Sequence, residues 1–443
     1  MRSRLTVVAI LAACAWPLTG AAQDRVSLHE AITATLANNA DLRAARAGQR
    51  ESAARTVEAR ASYLPRVDFV EAWQRGDNPV FVFGSLLSQQ RFSAANFAID
   101  ALNRPAAITN YHGTFSLEQP LFDSSRLAGI RSARLGDEIA QVSVTEAEAD
   151  LALAVTRTYG DVLLAIANRA AAAAAVAAVR EDLAKAERQR DVGMATEADV
   201  LSLRVHLAQM REREIRSASG EQVAAAQLNR LMGAPLDRKL SLSDPVLAPL
   251  TLPSVEVSEQ SALRDRAALK RASLQVSLAE AAQKAAQAAF LPQVYLQGVY
   301  DLNGGTFGDR ASSWMIAGLA RVNLFAGGGD AARLRAATEA RARAVAERQS
   351  AEAGLRLEVL TARAQFEAAE AREVVGREAV LQARESQRII RDRYEAGLAA
   401  VNDVLRASNA LLDAESQRIS AIVDSMVARA ALDRSLGRIP SGS

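Results

Sequence analysis

Six long segments of the 443-residue chain have the apolar spacing and the Ala-, Leu-, Arg- and Glu-rich composition of α-helices. The first helix of each half ends at a Leu-Pro pair, because the residue before a proline is disfavoured in the helical conformation. The predicted helices lie at about 28–62, 126–191 and 197–232 in the first half, and at about 258–289, 331–395 and 401–436 in the second.

Four shorter segments alternate apolar and polar residues with the period of two that β-strands have. The clearest of them places Tyr111, Phe115 and Leu117 on one face, with His112 and Thr114 on the other. Strands of this kind are typical of a membrane β-barrel, and the edge of a soluble β-sandwich is the alternative interpretation. The predicted strands lie at about 66–75, 111–122, 293–302 and 313–325.

The strand at about 66–75 is less regular, because Val67, Phe69 and Trp73 share their face with Glu71. Trp73 and Trp314 are candidates for aromatic residues at a membrane interface. Packing of both rings inside a soluble fold is the alternative.

Two short sequences half a chain apart resemble each other: VGMATEADVL at 192–201 and AGLAAVNDVL at 396–405. Gly193 corresponds to Gly397, 204 residues later, and each glycine interrupts a run of helical residues. Glycine permits the left-handed backbone that a tight reversal needs. Both segments are therefore predicted to be turns between helices.

These correspondences predict two structural repeats joined by a linker. Landmarks around the strands show that the first repeat contains about 24 extra residues, which we assign to the irregular segment 76–110. The predicted organisation is a signal peptide at 1–22, a first repeat at 23–233 with a tip turn at 192–198, a linker at 234–257, a second repeat at 258–437 with a tip turn at 396–402, and a tail at 438–443.

Four strands are too few to close a membrane barrel, and an open edge would leave backbone groups unpaired in lipid. The chain is therefore expected to combine with copies of itself. Two copies give eight strands, which enclose only side chains, whereas three copies give twelve and leave a lumen. A helix of about 66 residues is roughly 100 Å long, which exceeds the thickness of any bilayer. The long helices must consequently project into water.

The N-terminus has the features of an export signal, with two arginines before an apolar stretch at 5–15 and small residues up to Ala22. The single cysteine, Cys14, lies in this stretch, and the Leu-Ala-Ala-Cys sequence at 11–14 leaves lipidation of Cys14 as an alternative to cleavage after Ala22. No apolar run of about 18 residues follows, so a membrane-spanning part is expected to lack an apolar helix.

Charge and motif content argue against several other classes. The chain has 53 Lys and Arg against 51 Asp and Glu, a formal net charge of +2 that gives no reason to expect nucleic acid as a partner. His29, His112 and His206 lack the spacing of metal ligands. The glycine run at 327–329 lacks the Gly-Lys-Ser/Thr ending of a phosphate-binding loop. We therefore predict no enzyme activity, no cofactor and no metal site.

The order of these motifs resembles that of the TolC-like outer-membrane efflux and secretion channels. The shared order is helix, Leu-Pro, strand pair, Leu-Phe, long helix, glycine turn, Asp-Val-Leu, helix and Leu-Gly, and it occurs twice. The resemblance implies a mainly α-helical fold with a membrane β-barrel part: a homotrimer whose 12-strand barrel in outer-membrane lipid continues into a periplasmic α-helical barrel. It also implies partners, namely a periplasmic adaptor (membrane fusion) protein and an inner-membrane RND or ABC pump. The protein would be the exit duct of a tripartite efflux or type I secretion system.

The resemblance also implies roles for residues near the two turns. Asp403 and Asp199 occupy the positions of acidic residues near the periplasmic constriction of the family, where they would act as a pore gate. Tyr394 matches an aromatic residue that can hydrogen-bond across helices to the first-repeat aspartate. The chain departs from some family members at Ala399, where they have a basic residue, and at Arg406, where they have a second acidic one. The implied adaptor-docking residues at the tip are Val192, Gly193, Met194, Ala396, Gly397 and Leu398.

A purely structural interpretation of the aspartates stands beside the gate. Asp199 and Asp403 lie in the first turns of the helices that follow the glycines, where the helix dipole favours a negative charge. Thr196 and Asn402 are candidates for the residues that start these helices.

Two alternatives for the function remain open at this point. Within the class, a duct for secreted polypeptides and a duct for small toxic molecules have the same generic walls. Outside the class, a periplasmic coiled-coil scaffold or adaptor without a pore would also use long helices, although it would not need four alternating strands.

Overall fold

The computed structural model describes residues 25–243 and 252–441, so the predicted signal peptide, Cys14 and part of the predicted linker lie outside the described residues. The first half contains α1 (Leu28–Asn38), α2 (Ala40–Ala61), β1 (Arg66–Gly76), α3 (Pro79–Ser88), α4 (Ile99–Asn103), β2 (Ile108–Phe122), α5 (Ser124–Asp191) and α6 (Glu197–Met232). The second half contains α7 (Val255–Asp265), α8 (Ala267–Ala288), β3 (Gln293–Gly304), β4 (Ala311–Arg321), α9 (Gly329–Glu395) and α10 (Val401–Ser435).

The first predicted helix of each half is in fact a pair of helices, so the continuous helices expected at 28–62 and 258–289 are wrong. Asn39 separates α1 from α2 with an extended backbone, and its side-chain oxygen accepts hydrogen bonds from the backbone N–H groups of Asp41 and Leu42. This is the capping geometry that lets an asparagine start a new helix. Arg266 has the same extended backbone between α7 and α8, without a side-chain cap.

The segment 76–110 is more ordered than its composition predicts. Proline at the first helical position and the Asn78 side chain, which accepts from the N–H groups of Val80 and Phe81, start α3. A 3₁₀ turn at Ala94–Phe97 and the short α4 follow, and β2 begins at Ile108.

The strands form one antiparallel sheet in the order β1-β2-β3-β4. The register places Phe115 opposite Phe69 on one side and Tyr300 on the other, and Tyr300 opposite Trp314. The strand expected to reach residue 325 ends at Arg321, because its partner strand β3 begins there, at Gln293. Within the described chain β1 and β4 each have a neighbour on one side only, so their outer edges present unpaired backbone groups.

The helices form two long antiparallel pairs, α5 with α6 and α9 with α10, and α5 also packs against α2, α8 and α10. α5 has 68 residues and α9 has 67, so each is about 100 Å long. Tyr159 is fully buried on α5 in the largest apolar cluster, which also holds Ile32, Leu228 and Met426. This packing fixes the two pairs side by side and carries their turns to the same end of the molecule.

α5 also corrects the expectation that no long apolar run follows the signal. By length and composition, an 18-residue window of this helix is apolar enough to cross a membrane, and 22% of the window is buried in the structure. An alanine-rich stretch at 170–178 lies in the same helix.

Candidate functional site

Two turns with the same backbone join the long helices at one end of the molecule. Gly193 and Gly397 have φ angles of 77° and 73°, in the left-handed region that favours glycine. Beyond α5, the N–H groups of Gly193 and Met194 donate to the carbonyls of Arg190 (2.9 Å) and Gln189 (2.8 Å). Beyond α9, the N–H groups of the corresponding residues donate to the carbonyls of Tyr394 (3.0 Å) and Arg393 (2.8 Å). This pair of bonds is the Schellman motif, which satisfies the last carbonyls of a helix.

The two turns are exposed and apolar. Val192 is 70% exposed, Met194 78% and Leu398 69%. A side chain built at Gly193 or Gly397 would meet nothing within 4 Å. Large apolar side chains concentrated at the free end of a helical bundle are typical of a protein interaction surface.

The first turn continues into α6 through a complete capping box. The backbone N–H of Asp199 donates to the Thr196 hydroxyl oxygen at 3.2 Å. In return, the Asp199 carboxylate accepts from the Thr196 N–H at 3.1 Å and from its hydroxyl at 2.7 Å. One oxygen of the Asp199 carboxylate, Oδ2, is therefore engaged by the helix start itself.

The second turn has only half of this arrangement. Ala400 stands where the first turn has Thr196, and Asn402 lies inside α10 rather than at its cap. The Asp403 carboxylate accepts from the Ala400 N–H at 3.2 Å, and its other oxygen is 2.6 Å from an Arg406 guanidinium nitrogen. The pair is solvent-exposed, with the Arg406 side chain 78% exposed, so the counter-charge of the aspartate is screened by water and contributes little stability.

Tyr394 does not form the hydrogen bond to Asp199 that the resemblance implies. Its hydroxyl is buried and has no hydrogen-bond partner among the described residues. Its ring packs beside the small apolar cluster of the tip. Burial raises the pKa of Tyr394, and the negative charges of Asp199 and Asp182 raise it further. The two residues are electrostatic neighbours rather than bonded partners.

Other contacts tie the two helix pairs together just above the turns, and sequence analysis did not single them out. Arg391 on α9 donates to Asp182 on α5 at 3.0 Å, and the Lys185 ammonium on α5 is 2.8 Å from the Glu395 carboxylate on α9. Between the pairs lies an apolar cluster of buried residues: Ala186, Val200, Leu203 and Val401. No signal in one sequence could have paired α5 with α9 side chains about 210 residues away.

At the other end of the molecule the sheet has two chemically distinct faces. On the polar face His112 lies 3.0 Å from Asp301, which also accepts a 2.7 Å hydrogen bond from Thr114. Asn110 donates to Asn303 at 2.9 Å on the same face. The opposite face carries exposed apolar and aromatic residues of all four strands: Val67, Phe69, Trp73, Phe115, Tyr300, Trp314 and Ile316. The period-two alternation predicted these faces.

Glu71, the charged residue that interrupts the apolar face, is neutralised by a residue from the turn between β3 and β4. The Arg310 guanidinium reaches across the face to the Glu71 carboxylate at 2.9 Å and stacks 4.0 Å from the Phe307 ring. A side chain at Gly113 would come within 2.8 Å of that carboxylate, so the glycine leaves room for the ion pair. The apolar face therefore bears no net charge from Glu71.

The described residues contain no group of three or more His, Cys, Asp and Glu side chains arranged to hold a metal ion. The functional features of the chain are therefore surfaces: an apolar tip, a polar sheet face and an apolar sheet face.

Comparison with known proteins identifies the family of the chain that carries these surfaces. The family described as "Outer membrane efflux protein" matches residues 31–234 and 259–438, which together make up most of the chain. This chain belongs to the outer membrane efflux protein family. It is accordingly an outer-membrane protein of the TolC-like efflux class, and not an enzyme.

Individual relatives agree with this assignment. The alkaline protease secretion protein AprF of Pseudomonas aeruginosa is 29% identical over 249 residues, which are 52% of this chain and 49% of AprF, so the match spans about half of that relative. The outer-membrane channel CmeC of Campylobacter jejuni has a TM-score of 0.81 at 16% identity, covering 93% of this chain and 85% of CmeC. The outer-membrane protein VceC of Vibrio cholerae has a TM-score of 0.77 at 20% identity, covering 93% and 96%. These two structures establish the fold.

Proposed function

We propose that three copies of this chain form one outer-membrane channel that is the exit duct of a tripartite export system. The observation that carries the proposal is a four-stranded sheet with one apolar face, one polar face and two free edges, on a chain of this family. Pairing β4 of one copy with β1 of the next closes twelve strands and leaves no edge in lipid. The apolar face then meets lipid and the polar face lines the lumen.

In the same proposal the chain consists of two repeats, 23–233 and 258–437, joined by the linker 234–257. Each repeat contributes one strand pair to the barrel and one long helix pair to a periplasmic helical barrel. The matching backbones of the two turns and the two separate family matches support this division.

The test of a duct is conduction. Purified protein reconstituted into a planar lipid bilayer is expected to give discrete single-channel currents from a water-filled lumen. A periplasmic coiled-coil scaffold without a pore, the alternative of a different class, would leave the bilayer silent.

The apolar tip supports a docking role. In the proposal Val192, Met194 and Leu398 contact a periplasmic adaptor protein, which connects the channel to an inner-membrane RND or ABC pump. Met194→Asp and Leu398→Asp are expected to weaken binding of a purified periplasmic adaptor from the same organism at least tenfold, because each buries a carboxylate in an apolar contact. Val57→Asp, at an equally exposed apolar residue of α2, is the matched control. Unchanged binding in both tip variants would remove the docking role.

The gate is proposed for Asp403 rather than for Asp199. Asp199 is engaged by the Thr196 hydroxyl, whereas Asp403 has no such hydroxyl and, besides the Ala400 N–H, is paired with an exposed arginine. In three copies Asp403 would form a ring of carboxylates, each partly offset by an Arg406, and such rings set ion selectivity. Tyr394, with its hydroxyl buried, contributes packing to this gate and no hydrogen bond.

The selectivity of the channel measures this ring. Asp403→Asn leaves Arg406 without its counter-charge and is expected to shift the reversal potential in a salt gradient towards anions, while Arg406→Ala is expected to shift it towards cations. Glu51→Gln, on exposed α2, is the control and should change nothing. Identical selectivity in both variants and the wild type would place Asp403 outside the constriction.

The cargo class follows from the partners rather than from this chain. The name of AprF refers to secretion of a protease, and the family description refers to efflux. Both fit a passive duct whose pump selects the substrate.

A further inference from the structure

The two helix pairs line a cavity of about 250 Å³ close to the tip turns. It begins at the Asp182–Arg391 contact and extends away from the turns, with side chains of α5, α6, α9 and α10 in its wall. α5 contributes mainly small side chains, and their spacing places them on one face of the helix: Ala171, Ala174, Ala175 and Ala178. The cavity exists because these alanines do not fill the space between the pairs.

The charged groups in the wall already have partners in the chain. The Asp182 carboxylate accepts a hydrogen bond from Arg391 at 3.0 Å. The Glu415 carboxylate accepts one from Arg384, also at 3.0 Å. A charged ligand would have to compete with these ion pairs and would lose its water in a largely apolar space, which costs free energy. The cavity therefore favours a neutral molecule.

One buried polar side chain in the wall lacks such a partner. His206 of α6 is only 5% exposed, it lines the cavity, and none of the hydrogen bonds among the described residues involves its ring. By contrast, Gln387 donates to the Ser408 hydroxyl at 3.1 Å, and Asn409 is exposed. A neutral imidazole has one donor and one acceptor nitrogen, so His206 can bind a single hydroxyl group of a ligand.

Water is a poor occupant of most of this space. A buried water needs about two to four polar partners, whereas much of the wall beyond His206 is apolar: Val179, Met210, Leu411 and Leu412 join the alanines. An aromatic ring would be removed from water against these side chains. The Met210 sulfur also makes favourable contacts with aromatic rings.

We propose that this cavity binds a small neutral phenol, whose ring lies among the alanines and whose hydroxyl bonds to His206. An apolar cavity of about 150 Å³ in another protein holds benzene, and the same space per atom gives about ten non-hydrogen atoms here. 4-Propylphenol has that size. The site lies inside one protomer, so it goes beyond the proposed export duct and does not require the trimer.

A bound phenol would stabilise the packing of the two helix pairs near the tip. Because the wall takes side chains from both pairs, the site is complete only while the pairs are packed as in this structure. A ligand that binds only this arrangement shifts the equilibrium towards it. With the phenol at about ten times its dissociation constant, hydrogen exchange of backbone amides whose opening dismantles the site is expected to slow about elevenfold.

Equilibrium dialysis of the purified full chain in detergent tests the binding, with empty micelles of the same detergent as background. The wild type is expected to take up one 4-propylphenol per protomer, in a saturable manner. Ala175→Leu fills the cavity and is expected to weaken this binding about tenfold or more. Ala177→Leu, at an exposed position of α5 outside the cavity wall, is the matched control and should bind like the wild type. Equal uptake by the wild type and Ala175→Leu would overturn the site.

His206 supplies a second test, which adds no bulk to the cavity. His206→Leu is expected to weaken binding of 4-propylphenol about fivefold or more and to leave binding of propylbenzene, which lacks the hydroxyl, nearly unchanged. His206→Gln retains a hydrogen-bonding group and should recover part of the preference for the phenol. A wild-type protein that binds both compounds equally would contradict the proposed ligand class. If Ala175→Leu does not fold, the preference for the phenol in the wild type and in His206→Leu decides.

Discussion

The two tip turns share one backbone and differ in the side chains that support it. Gly193 and Gly397 have nearly the same φ and make the same pair of Schellman bonds. After the first turn Thr196 and Asp199 satisfy each other in a closed capping box. After the second turn an alanine offers no hydroxyl, and Asp403 accepts from the Ala400 N–H and from an exposed arginine.

The comparison shows that the backbone conformation of the tip turns does not depend on which side chains surround their aspartates. Reversal of each long helix depends on backbone conformation, which the glycines supply in both turns. The carboxylates depend on their neighbours: Asp199 is held by the Thr196 hydroxyl, whereas Asp403 is paired with the exposed charge of Arg406. A gate that uses one aspartate per chain is therefore expected to use the second.

The glycines are expected to give the largest effects, and equal ones. Gly193→Ala and Gly397→Ala each force a side chain into the left-handed region, which costs about 1–2 kcal/mol. Hydrogen exchange of the backbone amides around each turn measures this as a loss of opening free energy. Gly48→Ala, in the ordinary helical backbone of α2, should stabilise its helix by about 0.5–1 kcal/mol. Very different losses at the two glycines would show that the turns are not equivalent.

Loss of the Thr196–Asp199 capping box should destabilise the start of α6 and leave the start of α10 unchanged. Thr196→Ala removes the hydroxyl that accepts from Asp199 N–H and is expected to lower the opening free energy of the first turn of α6 by about 1 kcal/mol. The amides at the start of α10 should keep their exchange rates. An unaffected α6 would mean that water replaces the capping box without loss.

Substitution of Tyr394 distinguishes two interpretations, because they predict opposite changes in the stability of the tip. Tyr394→Phe removes a buried hydroxyl that has no partner, so the variant is expected to be more stable at the tip, by up to about 1 kcal/mol. A gate built on a Tyr394–Asp199 hydrogen bond predicts a loss instead, and hydrogen exchange at residues 394–403 distinguishes the two.

The same variant changes the alkaline behaviour. Because the pKa of Tyr394 is raised in the folded tip, opening the tip above about pH 10 releases a proton that the closed tip retains. The wild-type tip should therefore become less stable as the pH rises through this range. At lower pH the hydroxyl is protonated in both the closed and the open tip, so Tyr394 gives no pH dependence there. Tyr394→Phe should lack this component of the loss.

The smallest expected effect is a gain in the stability of the helix start after the second tip turn. Ala400→Thr supplies the missing hydroxyl to Asp403 and should stabilise the start of α10 by about 0.5 kcal/mol. It should also draw the carboxylate away from Arg406, so the selectivity shift caused by Arg406→Ala should shrink in the Ala400→Thr background. Full additivity of the two substitutions would mean that they act on separate groups.

Sequence patterns predicted the long elements well and the short ones poorly. The helix expected at 197–232 is Glu197–Met232, because both ends carry local signals: Thr196 before it and Gly233 after it. The short α3 was missed, since its apolar residues lie in a segment rich in turn-forming residues. The break at Asn39 was missed because apolar spacing continues through it.

The features of the candidate site also fall into those that local sequence predicts and those that it does not. The exposed apolar turn residues and the two faces of the sheet follow from local sequence. The Asp403–Arg406 pair was within reach of the rule that residues three apart on a helix are neighbours. The buried hydroxyl of Tyr394 depends on how α5, α6, α9 and α10 pack together, which no local pattern contains.

The central claim is that four strands per chain close into a barrel only when three chains combine. The native mass of the membrane-extracted protein in detergent, corrected for bound detergent, tests it most directly. We expect a mass of three protomers, and we expect this trimer to persist in mild denaturant. A soluble monomer or dimer would contradict it, and would also remove the proposed channel assembly and its gate.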